Sequence, residues 1–206
     1  PEGTNDLIFC FNEIRSRKEA EALCDAIGRK GLKVVAVSGY RRRDRFDMQQ
    51  DVVATTLPVA NAGWSRWKRS KDGSFPPRGC AYASVVVEPS VTAMVYSVHL
   101  KSNYGQGKSK KKAAYNRSKR IDAVSQLMAQ TKKYKRRVKN AVPVIIAGDF
   151  NADKWADVSG DEKIFDMLEK EGYKNVLDNA APENRQTYGK SGRFKGAALD
   201  YVMVRG

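Results

Sequence analysis

Histidine and cysteine are scarce in this 206-residue sequence, and long apolar runs are absent. The three cysteines, Cys10, Cys24 and Cys80, are odd in number and far apart, which excludes a disulfide scaffold and matches no zinc or redox spacing. We expect buried free thiols. The longest apolar runs, such as Pro143–Ala147, have the length of a core strand and fall far short of the roughly 18 residues of a membrane helix. The first residues of the given sequence do not have the pattern of a signal peptide, and both a cytoplasmic and a secreted protein fit this expectation.

The overall composition is that of a soluble globular protein. Hydrophobic residues make up 41% and charged residues 30% of the chain, which excludes a disordered chain. The length suits one domain spanning residues 1–206, and neither a repeat nor a domain linker interrupts it. We expect a monomer.

Positive charge is concentrated in one segment. The net charge is +15, and fourteen of the 38 Lys and Arg residues, against a single acid, Asp122, lie between Lys101 and Lys139. This basic segment predicts a polyanionic partner, nucleic acid or an anionic membrane surface. A solvated helix face that keeps the protein soluble is the alternative, because charge runs alone are unspecific.

Strand and helix patterns alternate along the chain, with hairpins among them. Apolar, β-branched runs predict strands, and a helical period over Arg17–Lys30 stops at Gly31. Gly63–Arg78, with Pro76-Pro77, is typical of a long surface loop. Its two tryptophans, Trp64 and Trp67, lie among basic residues; we expect them to anchor the loop, and stacking on exposed bases is the alternative. The remaining predicted elements are strands at 6–11, 33–38, 51–56 and 143–148, a hairpin of 81–87 with 92–100, a helix after residue 112, a helix around Ile164, and a last strand at 198–204. This mixture predicts an α/β or α+β layered domain with a mixed sheet.

Polar residues at the ends of these strands are candidates for a site. Glu13 follows the first strand, Asp149 and Asn151 follow the strongest one, Asp200 lies in the last, and His99 precedes the basic segment. Carboxylates are the ligands that Mg²⁺ prefers, while an amide or an imidazole can donate hydrogen bonds to phosphate. Each residue alone is more often a turn former, a cap or a structural histidine.

Four motifs that contain these residues together resemble the endonuclease/exonuclease/phosphatase superfamily, which includes pancreatic deoxyribonuclease. Gly148–Asn151 is similar to its GDFN signature, and Glu13 resembles its metal-binding Glu, with Asn12 where Gln is usual. Ser97–Ser102 (SVHLKS) and Leu199–Val202 (LDYV) resemble two further strands of the family. All four motifs occur in the family's order over almost the whole chain.

This resemblance implies a four-layer αββα sandwich and hydrolysis of a phosphate ester with Mg²⁺ or Mn²⁺. Glu13 would bind the metal, Asp149 would orient or activate the attacking water, and Asn151 would hold the scissile phosphate. His99 would stabilise the transition state, and Asp200 would assist the metal or orient a catalytic histidine. Family members carry a further strand with an Asn before the first motif and a Ser-Asp-His strand after the last. Neither is in this sequence, so we expect this stretch alone to be weakly active or inactive.

Three functions follow as hypotheses. The first is a metal-dependent nuclease on DNA or RNA, in which Lys101, Asn103, Arg117 and Arg120 of the basic segment contact the substrate. The second is a phosphatase or phosphodiesterase on a small substrate, such as an inositol phosphate or a phospholipid head group. The third is a non-catalytic module that binds polyanions. The fold alone does not choose among them.

Overall fold

The computed structural model describes residues 6–42, 45–46, 49–103, 109–137, 142–155, 162–189 and 196–206. The strands and helices there are β1 (Ile8–Ile14), α1 (Arg17–Ile27), β2 (Lys33–Val37), β3 (Arg41–Arg42), β4 (Arg45–Phe46), β5 (Gln50–Thr55), β6 (Val59–Ser65), β7 (Cys80–Glu88), β8 (Val91–His99), α2 (Lys110–Arg137), β9 (Val144–Asp149), α3 (Ile164–Lys170), β10 (Lys174–Asn175) and β11 (Asp200–Arg205). Two short 3₁₀ helices, Val176–Asn179 and Pro182–Asn184, follow β10.

The strands form two principal sheets and a small ladder of β3 with β4. The smaller sheet has the order β1-β5-β2 and is antiparallel throughout. The larger sheet has the order β10-β11-β9-β8-β7-β6, and only β8 and β9 run parallel. A parallel pair needs a long crossover, and α2 lies on the connection between these two strands.

Two hydrophobic cores separate the layers. Between the sheets, Ala36 and Val53 of the smaller sheet pack against β7 and β8 of the larger one. On the opposite face of the larger sheet, Ile146 and its neighbours pack against Leu127 of α2 and Leu168 of α3. Helix α1 contacts β1 and β2. The four-layer αββα arrangement that the motif resemblance implies is therefore confirmed.

The two ends of helix α1 are set by the residues that flank it. The Ser16 hydroxyl accepts a hydrogen bond from the Glu19 backbone N–H at 3.2 Å, which caps the first turn. Gly28 ends the helix with φ of 68°, a left-handed conformation that favours glycine. The predicted end at Gly31 was therefore three residues too late.

Most predicted strands are present, and one predicted loop is wrong in part. The hairpin of β7 with β8 and the strands β9 and β11 lie where the sequence predicted them. Gly63–Arg78 is not a surface loop throughout, because Gly63–Ser65 completes β6 and both Trp67 and Arg78 are buried. Trp67 anchors the remainder in the core, as expected, whereas Trp64 is 41% exposed.

The structure also bears on the predictions for the cysteines and for membrane-spanning helices. All three cysteines are free; Cys24 and Cys80 are buried and Cys10 is half-buried. Among the helices described, none combines the length and the apolar character needed to cross a membrane.

Candidate active site

The turn after β9 brings Asp149 beside His99. Gly148 has φ of 135°, and a Cβ there would lie 2.1 Å from the Val98 carbonyl oxygen, so only glycine fits between β8 and β9. The parallel register then pairs Asp149 with His99 at the ends of the two strands. Asn151 follows with φ of 51°, a left-handed conformation that Asn tolerates better than most residues.

Glu13 reaches the same place from the smaller sheet. The pairing of β1 with β5 is irregular between Phe11 and Ile14, and Glu13 has φ of 60°. A non-glycine residue held in this conformation is strained, and such strain clusters at functional sites. Its Oε1 lies 3.9 Å from His99 Nε2.

One cleft of about 650 Å³ is lined by Glu13, His99, Asp149 and Asn151. His99 Nε2 lies 3.4 Å from Asp149 Oδ2. Asn151 donates from its backbone N–H to Asp149 Oδ1 at 2.7 Å and from Nδ2 to Asp149 Oδ2 at 2.9 Å. Three segments far apart in sequence, around Glu13, His99 and Asp149, therefore meet in one cleft.

Burial changes the protonation chemistry of two of these side chains. Desolvation, helped by the charges of Arg78 and Lys101, lowers the pKa of His99 to about 3, so its imidazole is neutral near pH 7. Desolvation raises the pKa of Asp149 to about 6, and the nearby acids Asp200 and Glu13 act in the same direction. Asp149 is thus a stronger base than an exposed aspartate, and a neutral imidazole can still donate one hydrogen bond.

Asn12 supports Asp149 from below, a role that the sequence did not reveal. Its Oδ1 accepts the Asp149 backbone N–H at 3.0 Å, and its Nδ2 donates to Asp51 Oδ1 at 2.9 Å. Asp51 is fully buried, and desolvation raises its pKa to about 8. Asp51 stands at the start of a β-branched strand, where nothing in the sequence marks it as part of a site.

Arg78 and Gln49 form a second support that sequence reasoning missed. The Arg78 guanidinium donates to the carbonyl oxygens of His99 and Leu100 at 3.3 and 2.9 Å and to Gln49 Oε1 at 2.7 Å. Gln49 Nε2 in turn donates to Glu13 Oε1 at 2.9 Å. Arg78 is 7% exposed and therefore brings positive charge to the cleft wall from inside the protein.

The basic residues expected to contact substrate differ in their placement. Lys101 lines the cleft. Arg120 is 1% exposed, and its guanidinium donates to Glu162, to the Lys101 carbonyl oxygen and to Asn103 Oδ1, so both Arg120 and Asn103 act in packing. Arg117, half-buried on α2, is not among the described residues that line the cleft. Residues 104–108, 138 and 139 of the basic segment lie outside the described residues.

Asp200 lies next to the cleft rather than in it. It pairs with Asp149 across β11 and β9, and its side chain lines a neighbouring, mostly apolar cavity between the sheets. Its backbone N–H donates to Thr187 Oγ1 at 2.9 Å. The charge of Asp200 acts on Asp149 by raising its pKa.

The donor set fits a hard divalent cation. No group of three or more His, Cys, Asp or Glu side chains within the described ranges forms a complete metal cage. Mg²⁺, however, is usually bound by one or two carboxylates together with water and substrate phosphate. Glu13 and Asp149 supply two carboxylates in one cleft, and their mutual repulsion would be relieved by a cation.

Comparison with known families agrees with this geometry. Residues 8–206 match the Endonuclease/Exonuclease/phosphatase family. The chain belongs to this family. The resemblance that the four motifs indicated is therefore confirmed, and the family's enzymes are hydrolases of phosphoesters. Comparison with curated protein sequences found no match.

Solved structures share the fold at low identity. The human Nocturnin catalytic domain is 12% identical, with a TM-score of 0.63 over 96% of this chain and 68% of that one. A Bacteroides thetaiotaomicron mannosyl-6-phosphatase is 15% identical, with a TM-score of 0.63 over 96% and 70% of the two chains. Sphingomyelinase C from Streptomyces griseocarneus is 18% identical, with a TM-score of 0.61 over 97% and 70%. This endonuclease/exonuclease/phosphatase family chain therefore shares one fold with proteins named for different substrates.

Proposed function

We propose that this protein is a divalent-metal-dependent phosphodiesterase that cleaves nucleic acid. The observation that carries the proposal is the cleft, in which four polar side chains from both sheets converge beside buried and exposed cations. Paired carboxylates, a neutral imidazole and an amide are the groups that phosphoester hydrolysis requires.

Each side chain receives one role in this proposal. Glu13 would hold the metal, which would supply Lewis-acid polarisation of a phosphoryl oxygen. Asp149 accepts a proton from the attacking water, because its raised pKa makes it a usable base near neutral pH. His99 donates a hydrogen bond from Nε2 to the developing negative charge. Asn151 Nδ2 donates to Asp149 Oδ2 and to the Leu100 carbonyl oxygen in the free protein, and on substrate binding it exchanges one of these bonds for a phosphate oxygen. Asp200 tunes Asp149 electrostatically.

The charge around the cleft favours nucleic acid over a small phosphoester. Lys101 and Lys112 line the cleft, and Lys110 and Lys111 are exposed at the start of α2. The N-terminal end of a helix also carries partial positive charge. A run of cations beyond the reaction centre suits a substrate with several phosphates, because a single phosphate uses only the nearest ones.

Nicking of supercoiled plasmid by the full-length protein tests the proposal. We expect nicking with Mg²⁺, none with EDTA, and a loss of at least about 100-fold in Asp149→Asn, the range for removing a general base. Asp166→Asn is the matched control, since it makes the same chemical change at an exposed position of α3 and leaves nicking unchanged. Nicking by Asp149→Asn within threefold of wild type would refute the assigned role.

Salt dependence and alternative substrates separate the other hypotheses. For a nuclease, the KM for plasmid should rise steeply between about 50 and 200 mM salt, because each phosphate contact depends on the release of counterions from the nucleic acid. A protein with many phosphate contacts loses about 10³-fold or more in affinity over this range. Metal-dependent turnover of inositol phosphates without nicking would assign a small substrate instead. Tight plasmid binding without any hydrolysis would identify a binding module.

A further inference from the structure

Two aromatic side chains line the cleft from outside the catalytic group. Phe75 lies on the segment between β6 and β7 and is 41% exposed; Tyr115 lies on α2 and is 38% exposed. They come from elements far apart in sequence, and both open onto the cleft that contains Asp149. The roles proposed above use neither ring.

Two buried residues, Trp67 and Lys119, hold the segments that carry the rings. The Phe75 segment is anchored by Trp67, which is 1% exposed in the core. Lys119 of α2 donates from Nζ to Asp72 Oδ1 and Oδ2 at 2.7 and 2.8 Å, and the same Nζ lies 5.3 Å from the centre of the Tyr115 ring. Asp72 Oδ1 also accepts the Ser74 backbone N–H at 3.0 Å, directly before Phe75. One buried lysine therefore links the two ring-bearing elements, so ordering them for a ligand requires little further loss of entropy.

Positive charges accompany both rings. The guanidinium groups of Arg66 and Arg69 lie 5.3 and 4.8 Å from the centre of the Phe75 ring. Lys112 Nζ lies 5.2 Å from the centre of the Tyr115 ring. These four cations would repel a quaternary ammonium group such as choline, which carries a positive charge of its own. A flat base joined to a phosphate meets both features favourably, because bases stack on aromatic rings and on guanidinium planes.

We propose that Phe75 and Tyr115 form a stacking platform for the unpaired bases of single-stranded nucleic acid, with the adjacent phosphate at Asp149 and His99. This inference rests on the proposed function and narrows its substrate class. In a duplex the bases are stacked on one another, so the rings reach them only at ends, loops or unpaired stretches. The protein therefore prefers single-stranded nucleic acid to duplex.

Two oligonucleotides of equal backbone charge test the platform: a fluorescent single strand and the same strand with abasic spacers around the cleavable bond. We expect wild type to cleave the strand with bases at least tenfold more efficiently, by kcat/KM. Phe75→Ala and Tyr115→Ala each lose about tenfold on that strand, within the range for base stacking, and stay within twofold on the abasic one. Tyr115→Phe keeps the ring and the activity. Tyr188→Ala is the matched control, because Tyr188 is 47% exposed and is not among the described residues lining the cleft.

The outcomes distinguish the platform from the proposed function. Equal cleavage of both strands by wild type, or equal losses on both strands in the alanine variants, overturns the platform and leaves the nuclease intact. If neither strand is cleaved, the nuclease proposal fails. Fluorescence anisotropy in EDTA then tests the platform by itself: tighter binding of the strand with bases supports it, and equal binding of the two strands overturns it. Hydrolysis of sphingomyelin vesicles that depends on Phe75 would assign the rings to a phospholipid and also overturn the inference.

Discussion

Replacing Arg120 with methionine is expected to destabilise the fold rather than merely weaken nucleic-acid binding. Its guanidinium is 1% exposed and donates from Nε to Glu162 Oε2 at 2.8 Å and from Nη1 to the Lys101 carbonyl oxygen and Asn103 Oδ1 at 2.9 and 2.7 Å. The Glu162 side chain is 6% exposed. Arg120→Met therefore removes a cation and its hydrogen bonds from a buried carboxylate and detaches the chain that follows His99.

The expected magnitude follows from this burial. Removing one partner of a buried ion pair costs about 3–5 kcal/mol in the free energy of unfolding, whereas replacing both by apolar residues is often neutral. In a chain of this length, 1 kcal/mol corresponds to about 2–4 °C in Tm, so Arg120→Met lowers Tm by about 6–20 °C. Glu162→Met has a similar effect, and the double variant is more stable than either single one.

Urea unfolding at pH 7, followed by Trp fluorescence, measures these changes. The cost persists in 1 M salt, since buried pairs are screened much less than exposed charges. Lys111→Met removes one exposed charge from the same helix and stays within about 0.5 kcal/mol of wild type. The reasoning fails if Arg120→Met unfolds like wild type but lowers the salt slope of nucleic-acid binding by about one, which is the behaviour of a phosphate ligand.

Three further predictions concern the residues around the catalytic group. Gly148→Ala is expected to destabilise the protein strongly and abolish nicking, because its Cβ would lie 2.1 Å from the Val98 carbonyl oxygen; wild-type unfolding and nicking would contradict this. Phe150→Ala, at a ring 5.4 Å from that of Tyr201, is expected to cost about 3–5 kcal/mol in urea unfolding, and a cost below 1 kcal/mol would argue against this packing. Burial raises the pKa of Asp51 from 3.8 to about 8, so the folded chain keeps a proton that the unfolded chain releases. The free energy of unfolding of wild type, relative to Asp51→Asn, should therefore fall between about pH 4 and pH 8, by up to about 1.4 kcal/mol per pH unit; parallel pH curves would exclude the raised pKa.

The strands and the sequence motifs that line the candidate cleft were predictable because their signals are local. Runs of β-branched residues mark β5 and β9. The GDFN motif is also local, because its glycine lies where β9 passes close to β8 and its three polar or aromatic residues follow directly. β6 carried no such signal. Its sequence, VANAGWS, is only weakly apolar, and it forms as an edge strand because β7 offers a free edge for pairing.

The destinations of the charged side chains were not predictable. Lys119 and Arg120 look like two more cations of a basic helix, but each is 1% exposed and paired with an acid more than 40 residues away. Counting charge along the sequence cannot detect such pairing, because only the packing of α2 on the larger sheet brings the partners together. Arg78 escaped notice for the same reason, since its acceptors are two backbone carbonyls at the end of β8 and the Gln49 side chain, all more than 20 residues away.

The candidate site spans the two sheets of the sandwich. Glu13 and Asn12 belong to the smaller sheet, while Asp149 belongs to the larger one and donates its backbone N–H to Asn12. A ligand bound by both Glu13 and Asp149 would therefore join the sheets across their interface and oppose their separation. At a ligand concentration of 100 times Kd, binding adds about 2.7 kcal/mol to the free energy needed to separate the two sheets. Amide hydrogen exchange in both sheets should slow together on binding, including in β2, which contributes no residue to the cleft.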